Sequence, residues 1–184
     1  RVVDHVNVYH GVEVADPYRW LEDDVRVSEE VAVWVEEQNA VTFGYLEGIE
    51  GRAAIRERIE ELWDYEKFSV YTKAGGRYYF LGNDGLQNQS VLYVQDRVDE
   101  GKRSVVLDPN SWTEDGTKAL GGMAYSEDGR YLAYGVNVAG SDWATWHVRD
   151  LESRETLPEE IQWVKYSRAV WAKDSRGFFY GRFE

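Results

Sequence analysis

The chain has 184 residues, of which 43% are hydrophobic, so it can build a packed core and is not a disordered chain. Its formal net charge of −13 repels phosphate backbones, which argues against nucleic acid as a partner. There is no cysteine, which excludes disulfide scaffolds, thiolate zinc sites and cysteine nucleophiles.

The first part of the chain, residues 1–65, has the pattern of a helical segment. Asp16-Pro17 is typical of a helix start, because Asp caps orphan backbone N–H groups and Pro fits the first helical position. We expect this helix to end near Asp24. A longer helix is predicted over residues 28–49, with Ser28 as its cap. Its apolar side chains fall roughly on one face, namely Val31, Trp34, Val35, Val41, Tyr45 and Ile49.

A third helix is predicted after Gly51, which separates it from the second. Its charged residues lie on one side, which we expect to face water. Its opposite side carries the predicted buried stripe of Ile55, Ile59, Leu62 and Trp63.

From residue 66 to residue 184 the chain consists of short segments rich in aromatic and β-branched residues, which is typical of strands. Turn signals separate these segments at Asp84-Gly85, Asp115-Gly116 and Asp128-Gly129, because Gly tolerates a positive φ. The predicted strands cover residues 77–81, 90–94, 130–134, 145–148 and 164–166.

The strand region contains an internal repeat. The ten residues from Tyr125 to Tyr134 resemble those from Trp171 to Tyr180, which begin 46 residues later, and residues 74–80 form a weaker third copy. Such a spacing is typical of a β-propeller blade, a four-stranded sheet that buries its faces against neighbouring blades. We predict two blades and the start of a third in residues 66–184. A propeller closes with at least about four blades, so we expect a piece of a longer polypeptide.

The sequence contains no catalytic motif. A Gly-x-Ser-x-Gly nucleophile elbow is absent. Ser141, Asp142 and His147 lie close together in sequence, but triad members are brought together by the fold and proximity along the chain counts for little. His147, between Trp146 and Val148, is predicted to be structural or at the surface. These residues alone indicate a binding platform or a gating domain.

No cofactor or metal is predicted either. His5, His10 and His147 lack the spacing of a metal site. The acidic run Glu22-Asp23-Asp24 has no second ligand group, so a solvated helix end is the favoured interpretation. Glycine pairs precede strands, whereas a phosphate-binding loop leads into a helix.

Several longer segments nevertheless resemble the prolyl oligopeptidase family of serine peptidases, in its N-terminal portion. The resemblance spans essentially the whole chain, in order and with family-like spacing. The matching segments are residues 9–12, 16–23, 83–93, 107–110, 125–129 and 140–143, among which Asp16-Pro17-Tyr18-Arg19-Trp20-Leu21-Glu22-Asp23 is the most specific.

The resemblance implies a mixed α and β architecture. Residues 1–65 would be the N-terminal helical segment that packs on an α/β-hydrolase domain. Residues 66–184 would be the first two blades and the start of a third of a seven-bladed β-propeller that gates substrate access. The implied activity is hydrolysis after proline in short peptides, with a Ser-His-Asp triad in the C-terminal portion of the family, so no catalytic residue is carried onto this chain.

Two positions are carried over from the family as substrate-binding residues. Tyr166 matches a propeller aromatic that lines the substrate pocket, where Phe is usual, and its hydroxyl requires a partner. Asp142 matches a propeller acid near the cavity that forms a salt bridge or orients the peptide. The alternative for Tyr166 is a strand-packing aromatic, and the alternative for Asp142 is a loop acid that caps local backbone.

The expected partners are short proline-containing peptides and the C-terminal hydrolase domain, with no nucleic acid and no membrane. The expected compartment is the cytoplasm, with the periplasm as the alternative, because a cysteine-free chain suits both. A non-catalytic propeller-type binding or scaffold module is the alternative function. A related aminopeptidase or oligopeptidase B is a further alternative within the same fold.

Overall fold

The computed structural model describes residues 1–99 and 101–183, which form two compact units, one from Arg1 to Ile59 and one from Glu60 onwards. The first unit opens with a β-hairpin of β1 (Val6–Tyr9) and β2 (Val12–Ala15). His10 and Gly11 join the strands with φ values of 52° and 83°, as a two-residue primed turn requires. This hairpin corrects the prediction that residues 1–65 are helical throughout.

The helix predicted from Asp16-Pro17 to Asp24 is also wrong, because only Arg19–Glu22 form a single 3-10 turn. The Asp16 carboxylate pairs with Nε of Arg19 at 3.0 Å, whereas the prediction had it capping backbone N–H groups. Asp23 then adopts an extended backbone with ψ of 142°, which ends the turn. The Asp16 carboxylate therefore contacts the side chains of Arg19 and Asn7 in place of the backbone N–H groups that the sequence signal indicated.

The two later helices are confirmed as α1 (Glu29–Glu47) and α2 (Arg52–Trp63). Ser28 caps α1 as predicted, and its hydroxyl accepts a hydrogen bond from the backbone N–H of Val31 at 3.4 Å. Neither helix, nor any other in the described residues, is long and apolar enough to cross a membrane.

The predicted burial of the helix faces is not found in the described residues. Val31 is buried, but the remaining apolar positions of α1 are partly or largely exposed. The predicted stripe of α2 is more than half exposed at every position, namely Ile55, Ile59, Leu62 and Trp63. Periodicity thus predicts the helices correctly and their burial incorrectly, because burial also requires an apolar surface to pack against.

The second unit contains two large antiparallel sheets and a short hairpin. The first sheet has the strand order β3-β5-β6-β7, with β4 also paired to β5. The second has the order β11-β10-β9-β8, a meander in which sequence neighbours pair. The bounds are β3 Lys67–Phe68, β4 Thr72–Ala74, β5 Arg77–Asn83, β6 Val91–Gln95, β7 Ser104–Leu107, β8 Lys118–Tyr125, β9 Tyr131–Val138, β10 Ala144–Asp150, β11 Ile161–Val164, β12 Val170–Trp171 and β13 Phe178–Phe179.

The second sheet is buried on both faces, because successive side chains of a strand point to opposite sides. Leu132 and Tyr134 of β9 join a core with Tyr79 and Leu92 of the first sheet. Ala133, between them, belongs to a second core that includes Trp146 and is completed by Trp171 and Phe178 of the β12-β13 hairpin. The three sheets therefore stack face to face, as propeller blades do.

The internal repeat corresponds to a repeated hydrogen-bond pattern. In the β8-β9 turn, Ser126 N–H donates to the Tyr131 carbonyl and Gly129 N–H to the Ser126 carbonyl, both at 2.9 Å. The equivalent bonds 46 residues later, Ala172 to Gly177 and Ser175 to Ala172, have the same lengths. The two segments are therefore structurally equivalent turns.

These turns also contact one another from sheet to sheet. The Ser175 hydroxyl accepts a hydrogen bond from the Asp128 backbone N–H at 3.1 Å. On the other side, a Cβ added to Gly129 would lie 2.2 Å from the Gly75 Cα, so the two turns touch through bare backbone. At this end of the stacked sheets, three turns thus contact one another in a row, at Gly75, Gly129 and Ser175.

Candidate functional site

The candidate site lies at the end of the second sheet that is opposite to the β8-β9 turn. β9 ends at Val138 and β10 starts at Ala144, and in the sheet Ala144 pairs with Val164, the last residue of β11. The β9-β10 loop and the segment after β11 therefore emerge side by side. In an antiparallel sheet, one strand ends where its neighbour begins, at the same end of the sheet.

The β9-β10 loop is held by its own hydrogen bonds. Ser141 N–H donates to the Val138 carbonyl at 2.9 Å, and the Asn137 side-chain amide donates to the carbonyls of Ser141 at 2.9 Å and Trp143 at 3.2 Å. These bonds bracket Asp142 on both sides, so the loop backbone fixes its position and leaves its side chain to contact the segment after β11.

The segment after β11 has an unusual backbone. Trp163 and Tyr166 have φ values of 62° and 53°, a left-handed conformation that costs a bulky residue about 1–3 kcal/mol. The predicted strand 164–166 is accordingly wrong in its second half, because β11 ends at Val164. Such strain is found where the rest of the fold imposes it, often at binding sites.

The two residues predicted as site residues are brought together. The Tyr166 hydroxyl donates a hydrogen bond of 2.7 Å to Oδ2 of Asp142. Asp142 is the partner that the extra hydroxyl requires in place of the Phe usual in the family. The Tyr166 ring is 84% exposed in this chain, so it is not a strand-packing aromatic here.

Lys165 is the residue of this site that the sequence analysis missed. Its Nζ lies 3.4 Å from the same Asp142 Oδ2, and 5.2 Å and 4.9 Å from the ring centroids of Trp143 and Tyr166. The Tyr166 hydroxyl and the Lys165 ammonium hold the pKa of the Asp142 carboxyl below its ordinary value. We call Asp142, Trp143, Lys165 and Tyr166 the Asp142 site.

An aromatic cluster flanks the Asp142 site. The Trp143 ring makes edge-to-face contacts with Trp163 at 5.9 Å and with Phe183 at 5.3 Å between centroids. Phe183 is tied in by its backbone N–H, which donates to the Trp163 carbonyl at 2.9 Å. The site therefore offers aromatic surface beside one paired carboxylate, a combination suited to binding a peptide side chain.

The described residues contain no catalytic constellation at this site. His147 lies in β10, where burial lowers its pKa, and its Nδ1 lies 3.8 Å from a Glu160 oxygen. No hydrogen bond joins it to Ser141 or Asp142 in residues 1–99 and 101–183. Within those same ranges, no group of three or more His, Asp or Glu side chains could hold a metal ion.

Comparison with known proteins is consistent with this architecture. Stacked antiparallel sheets with repeated turns define the chain as a β-propeller segment. The model of the family described as "Prolyl oligopeptidase, N-terminal beta-propeller domain" matches residues 1–184. The chain belongs to the prolyl oligopeptidase family and corresponds to its N-terminal propeller domain.

Individual relatives agree. The chain is 40% identical over 182 residues to a prolyl endopeptidase of Elizabethkingia meningoseptica, covering 99% of the chain and 25% of that protein. It is 36% identical over 205 residues to a dual-function macrocyclase-peptidase of Amanita bisporigera, covering 98% of the chain and 28% of the relative. It therefore spans about a quarter of the length of the curated relatives it matches.

Solved structures match over the same extent. A chain from a structural and mechanistic analysis of two prolyl endopeptidases superposes with a TM-score of 0.84 at 36% identity, covering 98% of this chain and 26% of that one. Prolyl oligopeptidase B from Galerina marginata, bound to a 35mer hydrolysis and macrocyclization substrate, gives a TM-score of 0.79 at 33% identity, with coverage of 100% and 29%.

Proposed function

We propose that this chain is the N-terminal part of a post-proline serine endopeptidase that hydrolyses short proline-containing peptides. The family match over residues 1–184 carries this proposal, together with relatives named as prolyl endopeptidases. Residues 1–99 and 101–183 hold no catalytic triad, so the reaction is assigned to a hydrolase domain outside this chain. The two sheets and the β12-β13 hairpin are proposed to be two blades and the start of a third in residues 66–184.

The helical part is assigned a different role. Residues 1–65 are proposed to pack on the hydrolase domain. The exposed apolar stripe of α2 supports this assignment, because such a stripe is stabilised when it is covered. The compartment proposed is the cytoplasm, with the periplasm as the alternative.

In this proposal the Asp142 site contacts the peptide as it passes the propeller. The Tyr166 ring supplies exposed aromatic surface, and the fixed loop around Asp142 supplies an oriented carboxylate. We assign this contact to binding, because the Asp142 carboxylate is already engaged by the Tyr166 hydroxyl and the Lys165 ammonium.

The test uses the intact protein that carries this chain. It should cleave a Gly-Pro amide and leave the matching Gly-Ala amide uncut. Tyr166→Ala should raise KM for the Gly-Pro substrate about tenfold, the loss of roughly 1.4 kcal/mol of binding, with little change in kcat. Phe179→Ala removes an aromatic ring of similar exposure from β13 and serves as the control. Absence of post-proline cleavage would favour the alternative, a non-catalytic binding or scaffold module.

A further inference from the structure

Lys165 and Tyr166 are consecutive residues, yet both side chains reach the same carboxylate oxygen of Asp142. In an extended strand, neighbouring side chains point to opposite faces. The left-handed backbone of Tyr166, with φ of 53°, breaks that alternation. The strained conformation thus lets the side chains of Lys165 and Tyr166, which would point to opposite faces in a strand, contact the same Asp142 carboxylate.

The Lys165 ammonium is confined by this arrangement. Its side chain is only 25% exposed, compared with 55% for Asp142, and it lies against the rings of both Trp143 and Tyr166. Aromatic faces attract a cation and exclude part of its water, so the charge stays beside the carboxylate. Lys165 and Tyr166 are the groups that depress the pKa of Asp142.

We propose that Lys165 is a positioning and specificity-determining residue of the Asp142 site. It holds Asp142, and through Asp142 the Tyr166 ring, and its charge cancels the charge of Asp142. The site therefore presents a neutral aromatic surface and takes uncharged peptide side chains in preference to cationic ones. This inference rests on the proposed function, in which the Asp142 site contacts the peptide.

The test compares two blocked peptide amides that share Gly-Pro and differ in the preceding residue, norleucine or lysine. Norleucine has nearly the shape of lysine without its charge, so the ratio of the two kcat/KM values isolates the charge preference. The ratio is unaffected by the fraction of enzyme that is folded. The variants are made in the intact protein that carries this chain.

The wild-type protein should prefer the norleucine peptide. Lys165→Met should shift the ratio about fivefold toward the lysine peptide, because Asp142 then lacks its cationic partner. Asp142→Asn should shift the ratio the opposite way, and the double variant should return it near the wild-type value. Lys165→Arg should keep the ratio, and Lys173→Met, which changes an exposed lysine in the turn between β12 and β13, is the control.

A second readout needs no peptidase activity. In carboxyl-carbon NMR titrations, Lys165→Met should move the Asp142 midpoint up toward its ordinary pKa, and Lys173→Met should not. Equal losses of kcat/KM for both peptides, with an unmoved Asp142 midpoint, would overturn the inference and leave Lys165 a structural residue. If the wild-type protein cleaves neither peptide, the peptidase proposal fails, and calorimetric affinities for the same peptides apply the ratio test. Absence of binding would overturn the inference as well.

Discussion

Both units of the chain carry apolar residues at regular spacing, yet the burial of those residues differs greatly between the units. In the first, up to Ile59, Val31 is the only apolar residue that is buried among those described. In the second, the apolar side chains of the sheets form two cores. The difference teaches that periodicity determines which element forms, whereas burial depends on whether a second apolar surface lies opposite.

The second sheet shows the rule most clearly, because it has a neighbour on each face. Leu132 and Ala133 are both fully buried, although they point to opposite sides of β9. Each stacked sheet completes the core of the one beside it. Variants in the stacked core, in the interlocking turns and in α1 test this contrast.

Leu132→Ala is expected to give the largest effect. The side chain is 0% exposed, so its loss leaves a cavity and should lower the free energy of unfolding by about 4 kcal/mol. Leu86→Ala, at a position 55% exposed, should change it by less than about 0.5 kcal/mol. Urea unfolding followed by circular dichroism measures both. Equal midpoints for the two variants would show that the stacked core does not stabilise the chain.

Gly129→Ala tests the row of interlocking turns. Its φ is 71°, and the added Cβ would collide with the Gly75 backbone, so we expect a loss of about 2–3 kcal/mol. Gly140→Ala is the matched control, because its φ is 73° and nothing lies within 4 Å of the added Cβ. It should lose only about 1 kcal/mol from backbone strain. A loss at Gly140 as large as that at Gly129 would mean that the turns do not touch.

Asp150→Asn tests a smaller, pH-dependent contribution within the second unit. Asp150 is 6% exposed and accepts hydrogen bonds from the backbone N–H groups of Glu152 and Ser153 and from the Arg130 guanidinium. The Ser153 and Glu152 N–H groups and Arg130 lower its pKa below the ordinary 3.8. A lowered pKa means that the stabilisation is present above pH 3.8 and is lost as the pH falls through the folded-state pKa.

The acid unfolding profile should show this directly. Asp150→Asn should remove part of the loss of stability that the wild-type chain shows below pH 3.8. Near neutral pH the Asn variant should be less stable than wild type, because its amide N–H₂ cannot accept the donors that the carboxylate accepts. Superimposable pH profiles for Asp150→Asn and wild type would contradict the assignment.

The sequence predicted the central strands of the second unit because their signals are local. Alternating apolar residues, Asp-Gly turns and a repeat from Tyr125 to Tyr180 place β5, β6, β9 and β10 to within a few residues, whereas β3, β4, β7 and β8 were not predicted. The sequence did not predict the structure where a distant partner or a strained backbone determines the local conformation. It did not predict that Tyr166 would leave the strand, and so it could not bring Lys165 to Asp142.

The prediction for the first unit was wrong for a different reason. Val6, Val8, Val12 and Val14 alternate on either side of His10-Gly11, and that is a hairpin signal. The helix signal at Asp16-Pro17 favoured a helical prediction for the residues around it, although Asp16 in fact pairs with Arg19. Competing local signals of similar strength cannot be ranked without the contacts that settle them.

The smallest expected effects fall within α1 and test whether the first unit has any core of its own. Val31→Ala and Val33→Ala remove the same two methyl groups from the same helix, at positions 5% and 48% exposed. Val31→Ala should lower the opening free energy of the α1 amides in native-state hydrogen exchange by about 1–2 kcal/mol. Val33→Ala should leave it within about 0.5 kcal/mol, because Ala is the better helix former and little burial is lost. Equal losses of opening free energy for the two variants would mean that Val33 is covered in solution. The first unit would then have a core of its own, and the two units would differ only in how much apolar surface they bury.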